Sequence, residues 1–312
     1  MKTSKLLLSL ISLLITVSCT DNIEDPGNKP DDPFDKSISE VVVKNDVVYV
    51  GGAKDGLYIF ENDIWRKQTQ DDGLLSNNIT ALDVNENGVV ALGTSLGISI
   101  LKNDQWSSIT TENGLFNQIV HSLVYSQGGD LWIGTGNNRL TQYNGSEIIA
   151  TYHVNPEESG PVEMGHIHTI CFDKENNIWV GSCISGLSKF DGLVWTDNIN
   201  NFNVFVESSV CANNGDVWIG HITGAYQYKN NTWIKHDDQS GLIDNMVLDL
   251  SVDKNDNIWA ATQGGLAMFD GFSWTNYTVD DGLPDNYVTA VACDENGVWV
   301  GTSEGLFYFE FQ

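Results

Sequence analysis

Short hydrophobic–polar alternations, broken by Gly, Asn and Asp, run through most of this chain. Such alternation predicts half-buried strands. One stretch shows the unit: Ile79–Val84 alternates, Asn85–Gly88 is a polar turn, and Val89–Gly93 alternates again. Thr94–Gly97 is a loop, Ile98–Leu101 a third strand, Asn103-Asp104 a tight turn, and Trp106–Thr110 a fourth strand. The same order recurs around "VYVGGAKDGLYIF", "VVALGTSLGISIL", "LWIGTGNNRLTQY", "IWVGSCISGLSKF", "VWIGHITGAYQY", "IWAATQGGLAMF" and "VWVGTSEGLFYF". The glycine of each string falls at 51, 93, 134, 181, 220, 261 (Ala) and 301.

A period of about 40 residues with several short strands per unit is the pattern of a β-propeller. The expected fold is all-β: a seven-bladed β-propeller of four-stranded antiparallel blades over 37–312. Residues that tolerate positive φ sit between each third and fourth strand, from Asn62-Asp63 to Asp270-Gly271, and predict two-residue primed turns. Blade one begins at Ile38–Lys44. The last repeat has sequence for three strands, so the last blade is expected to be three-stranded or closed by a weak strand from the N-terminal segment near Phe34.

Charge narrows the partners. The chain of 312 residues carries 42 acidic and 15 basic residues, a net charge of −27. No basic cluster exists beyond Arg66-Lys67, so binding to nucleic acid is not expected. Residues 1–18 read as a signal peptide, with Lys2 and Lys5 before the apolar run Leu6–Val17. The sequence "ITVSC" resembles a bacterial lipobox and makes Cys19 the expected lipidation site, anchoring the protein to a membrane. Residues 19–36 are an acidic tether, similar to the surface-export signal of Bacteroidota lipoproteins. The expected location is the cell envelope: a secreted outer-membrane lipoprotein, facing the periplasm or the cell surface.

The string "DGLPDNYVTAVACDENGVWVGTSEGLFYF" resembles the two-component regulator propeller repeat. Its Asp-Gly-Leu step recurs at Asp72-Gly73-Leu74, Asn113-Gly114-Leu115, Ser240-Gly241-Leu242 and Asp281-Gly282-Leu283, and the likeness covers about 38–312. In that family such propellers form the periplasmic sensor half of hybrid regulators, often for glycans. This implies a sensor-type or binding module for an oligosaccharide. The sequence shows no kinase, so no signalling output of its own is expected.

All ten tryptophans fall at two repeat positions, on second strands (Trp132, Trp179, Trp218, Trp259, Trp299) and at fourth-strand starts (Trp65, Trp106, Trp195, Trp233, Trp274), which predicts packing between blades. Tyr287, Phe116 and Tyr152 remain as candidates to stack on a sugar. The turns at 83–88, 173–177 and 253–257 begin like calcium loops, but counting twelve from Asp83 reaches Thr94 rather than Glu, so they are expected to be polar turns. Cys171, Cys183, Cys211 and Cys293 are expected to be small buried hydrophobes, with a Cys171–Cys211 bridge geometrically conceivable.

Aligning first strands backward from their turns stacks Ser39, Thr80, His121, His168, Glu207, Leu248 and Thr289 at one position facing the central channel. His121, His168 and Glu207 come from consecutive blades, and His166 shares the face of His168. The set suits polar lining of a wet channel, a bound ligand, a divalent metal, or acid–base work. No cofactor is expected, and no nucleophile elbow or metal-binding helix marks an enzyme. Ligand binding is expected on the face of the fourth-to-first and second-to-third strand loops, on the side of blades three and four. Two alternatives stand beside the binding module. One is a metal-dependent lyase or hydrolase at the channel, as in the similarly shaped streptogramin lyases. The other is a scaffold for an envelope protein.

Overall fold

The computed structural model describes residues 37–154, 165–184, 186–197, 199–201 and 205–311. The leader, Cys19, the tether and the segment near Phe34 lie outside these residues. Six four-stranded antiparallel sheets and one three-stranded sheet follow one another along the chain, each in sequential strand order. Their first strands are Ile38–Lys44, Ala81–Val84, Val120–Tyr125, Ile167–Phe172, Val206–Cys211, Val247–Val252 and Val288–Cys293. The chain is therefore a seven-bladed propeller. Its last blade has three strands among the described residues, ending with Gly305–Glu310.

Each seam between neighbouring blades holds its own hydrophobic cluster, seven in all. The repeat glycine explains how close the blades come. A Cβ added at Gly93 would lie 2.7 Å from Val120, at Gly134 2.6 Å from Ile167, at Gly181 2.4 Å from Val206, at Gly220 2.9 Å from Val247, and at Gly301 2.7 Å from Ile38. Each contact is to the β-branched residue that opens the first strand of the next blade. Blade six alone carries a methyl there, Ala261, fully buried in the cluster with Val288.

The second-strand tryptophans are 2–6% exposed. They meet aromatics of the next blade: Trp179 packs on Trp233 at 6.3 Å and 81°, Trp218 on Trp274 at 6.4 Å and 90°, and Trp299 on Trp65 at 6.5 Å and 90°. Edge-to-face pairs of this kind add about 0.5–1.5 kcal/mol beyond burial. Blade seven has no fourth-strand Trp, and Phe311 stacks on Trp259 in its place, at 5.8 Å and 27°. The ring also closes by hydrogen bonding, as Thr289 Oγ1 donates to the Ile38 carbonyl at 2.7 Å.

The connecting loops follow from local chemistry. In four fourth-to-first loops a Thr or Asp caps a single 3₁₀ turn, and a glycine with φ between 101° and 116° ends it. That left-handed φ suits glycine. The next residue, Leu74, Leu115, Leu242 or Leu283, is buried. The expected primed turns occur at Asn62-Asp63, Asn103-Asp104 and Asn230-Asn231, with positive φ at both residues. At Asn144, Asp191 and Asp270 the turns are longer. There the side chain accepts two backbone N–H groups, and only the following glycine has positive φ. An Asx side chain closing its own turn removes the need for two left-handed residues.

Gly181→Ala is expected to cost about 1–3 kcal/mol by overpacking against Val206 and Thr169. In denaturant unfolding, Gly181→Ala/Val206→Ala should cost less than the sum of the two single changes. Simple additivity would show that this contact does not set the blade spacing.

Candidate functional site

Six of the seven first strands carry a bulge at one position. Pairing jumps from Ile38 to Glu40, from Val120 to Ser122, from Ile167 to Thr169, from Val206 to Ser208, from Val247 to Asp249, and from Val288 to Ala290. The residues left out of the ladder are Ser39, His121, His168, Glu207, Leu248 and Thr289. A bulge frees a side chain from the pleat and re-aims it. These six residues line a channel cavity of about 160 Å³, with Glu40, Asp249, Ser122, Thr169 and Ser208 one residue deeper. The six share one distance from their hairpin turns, as the spacing of the repeat predicts.

His121, His166 and His168 are brought together. Ring centroids of His121 and His166 are 4.3 Å apart, and His121 and His168 lie parallel at 5.8 Å and 7°. His168 Nδ1 meets Glu207 Oε2 at 2.8 Å. His166 sits at the strand entrance, bridged to Gly136 of blade three. Tyr287 does not join them. It is 40% exposed on blade seven, across the ring.

The charges separate sharply. Burial opposes charge on His168, but hydrogen bonds to Cys183 and Glu207 outweigh it and raise the pKa to about 9. Burial, then the neighbouring histidines, push His121 down to about 4; burial and His168 lower His166. One imidazolium therefore stands beside two neutral imidazoles. His121 Nε2 and His166 Nδ1 are buried and have no hydrogen-bond partner among the described residues.

Cys183 is the participant the sequence reading missed. It lies in the second-to-third loop of blade four, where its N–H donates to the His166 carbonyl at 3.2 Å. The His166 N–H in turn donates to Cys183 Sγ at 3.3 Å. Burial raises the thiol pKa, yet the His168 hydrogen bond and the backbone N–H groups reverse this and lower it overall. The signal was in the repeat: the N–H groups of Ala53, Gly136 and Ser303, at the same loop position, also donate to the carbonyl of the residue before their own blade's inner strand. That rule places Cys183 next to His166.

The other cysteines differ. Cys171 and Cys211 bring free thiols within 2.9 Å across the seam of blades four and five, and burial pushes Cys293 up to about 12. The calcium-like turns are closed by their own aspartates. Asp173 and Asp253 accept turn N–H groups and the indole N–H of Trp179 and Trp259. In blade two Asn85 does this, while Asp83 lies within the strand and accepts the Tyr125 N–H. Among the described residues no three His, Cys, Asp or Glu groups are arranged to hold a metal ion.

Large apolar side chains stand in the loops on the face where the inner strands begin. Ile119, Phe205 and Tyr287 precede inner strands, Leu96 and Ile184 stand in second-to-third loops, and Phe116 stands in a fourth-to-first loop; all are exposed. The Arg139 guanidinium stacks on Phe116 at 4.4 Å. Tyr152 instead stacks on Trp132 at 5.8 Å and 17°, which removes it as a sugar platform.

The model of the two component regulator propeller matches residues 164–183, 241–264 and 282–304. The first match carries His166, His168 and Cys183. The fold is similar to the extracellular domain of the hybrid two component system BT3049 from B. thetaiotaomicron (TM-score 0.72, 20% identity), covering 88% of this chain and 39% of that one. The chain thus spans about two fifths of that structure. It is also similar to virginiamycin B lyase from Staphylococcus aureus (TM-score 0.74, 10% identity, 90% and 97% covered) and to YCF48 bound to D1 peptide (TM-score 0.67, 14% identity, 90% and 94% covered). At these identities the likeness is one of fold. Among curated proteins no sequence matches this chain.

Burial raises Asp83 and Asp249 to about 6, and burial with the Asp249 charge raises Glu40. A carboxyl raised on folding stabilises below its unfolded pKa of about 4, and that stability is lost as pH rises through the folded value. Glu40→Gln should therefore raise the thermal midpoint near pH 7 and leave it little changed near pH 4. An equal shift at both pH values would show that Glu40 is not held in its neutral form by the channel.

Proposed function

We propose that this protein is a ligand-binding, sensor-type propeller of the cell envelope, whose ligand is a neutral oligosaccharide seated on the channel mouth. The observation that carries this reading is the set of exposed apolar and aromatic side chains on the face where the inner strands enter a polar channel. Phe116, in the loop before blade three, offers an aromatic face on the side of the bulged His121, His168 and Glu207, which offer hydrogen-bond partners, and Tyr287 offers a second face across the ring. Sites of this kind combine apolar walls with a few placed polar groups. The channel carboxylate of Asp249, in a chain of net charge −27, disfavours an anionic ligand. The resemblance to sensor propellers supports the same reading. The N-terminal sequence supports secretion and a lipid anchor at Cys19. No helix among the described residues is long and apolar enough to cross a membrane.

The test is a thermal-shift screen of soluble glycans, since a ligand of the native state raises the midpoint by mass action. One glycan class should shift the protein, and Phe116→Ala and Tyr287→Ala should each weaken its affinity by roughly threefold to tenfold, the worth of one aromatic contact. A broad panel without any shift would sink the reading.

A further inference from the structure

We propose that Cys183, His168 and Glu207 act as nucleophile, acid–base and positioning carboxylate, and that the channel mouth transfers or hydrolyses a small uncharged acyl ester or thioester. This goes beyond ligand binding and rests on the channel mouth as the ligand site. An O-acylated neutral sugar would satisfy both. The geometry carries the inference. His168 hydrogen bonds the Cys183 thiol, its Nδ1 meets Glu207 Oε2 at 2.8 Å, and the His166 N–H fixes the sulfur at 3.3 Å. A nucleophile in contact with a base, and that base oriented by a third group, is the arrangement that activates a thiol. The three residues come from blade four and the next blade, so no local sequence spacing announces them.

The second observation is independent. Two buried ring nitrogens beside this pair, His121 Nε2 and His166 Nδ1, lack partners among the described residues. Buried polar atoms are seldom left unpaired, and at functional sites the partner is often the substrate. As neutral imidazoles, these rings can donate an N–H to a carbonyl oxygen without adding charge beside the imidazolium. The groups that touch Cys183 are His166 and His168 of its own blade, and Glu207 and His121 of the blades on either side touch those histidines. Its lowered thiol pKa agrees with a thiolate–imidazolium pair.

The reaction balances with water alone. The Cys183 thiolate attacks the acyl carbon, forming a C–S bond and moving the carbonyl electrons onto oxygen. Collapse breaks the bond to the leaving alkoxide or thiolate, which takes the proton that His168 shares with Cys183. The product is an alcohol or thiol and an acyl thioester on Cys183. His168, now neutral, takes a proton from water, and the hydroxide oxygen attacks the thioester. The C–S bond breaks, a carboxylic acid leaves, and the ion pair is restored. An acceptor alcohol in place of water gives transfer.

The full chain is treated with a limiting amount of iodoacetamide across a pH series, and each cysteine is read by peptide mass spectrometry. Cys183 should alkylate at least tenfold faster than Cys293 near pH 7, and His168→Ala should move its midpoint up toward the ordinary thiol value of about 8.5. Glu207→Gln should move it the same way by less. Folding of each variant is checked by its thermal midpoint. In the same protein, p-nitrophenyl acetate and an acetyl thioester, quenched with acid, should leave one acetyl group on the Cys183 peptide, and Cys183→Ser should remove it. Alkylation of Cys183 no faster than Cys293, or unchanged in His168→Ala, overturns the ion pair. Alkylation without acetylation by either probe overturns the acyl chemistry. Alkylation blocked by added zinc and restored by a chelator, again without acetylation, assigns the cluster to a metal instead. None of these outcomes depends on the glycan screen, so the binding reading stands or falls separately.

Discussion

The propeller depends on one steric fact: in six of seven blades the first β-branched residue lies on a glycine of the blade before it. The contact leaves no room for a side chain at Gly134, Gly181 or Gly220. Six such contacts, with Ala261 against Val288 as the seventh seam, set the spacing of the inner strands, and the spacing sets the width of the channel. Everything functional follows from it. The residue after the β-branched one leaves the ladder as a bulge and enters the channel. The residue before it stands at the rim. One sequence position thus supplies packing, the next the channel lining, and the previous one the rim.

Chemistry appears where this scheme is filled unevenly. At the bulge position most blades place Ser, Thr or Leu. Blades three, four and five place His, His and Glu, and blade four adds His at the rim and Cys in the facing loop. The outcome is a region with one imidazolium, two neutral imidazoles and a thiol of depressed pKa. On the opposite arc Glu40 and Asp249 are held as acids of raised pKa by burial. The channel is therefore polarised from one side to the other, although the chain as a whole is strongly acidic.

The repeat made much of this legible. Strand order, blade number and the register of the inner strands can be read from a period near 40 and the spacing to the hairpin turns. His121, His168 and Glu207 fall together because the alignment counts from turns the chain defines sharply. What escaped was set by individual side-chain contacts that the repeat pattern does not encode. Cys183 has no neighbour in sequence that marks it; its partners arrive from the strand before it and the blade after it. Asn85, not Asp83, closes the blade-two turn, because the cap is fixed by which side chain reaches the turn N–H groups. The two-residue turns foreseen at Asn144, Asp191 and Asp270 are longer, because dipeptide identity alone does not count the residues an Asx cap encloses. The replacement of a missing Trp by Phe311 could not be read from pattern at all.

The seam between blades seven and one adds a kinetic dimension. Its Thr289–Ile38 hydrogen bond joins residues 251 apart, while His168 and Glu207 are 39 apart. On loop-closure entropy alone the seam costs roughly 1.6 kcal/mol more to form. Contacts of such separation form late and slow the folding of β proteins. The blades that carry the histidines can thus assemble as a local unit before the circle shuts. A transient opening at the seam lies on the far side of the ring from them, so the molecule can breathe there while its chemistry stays in place.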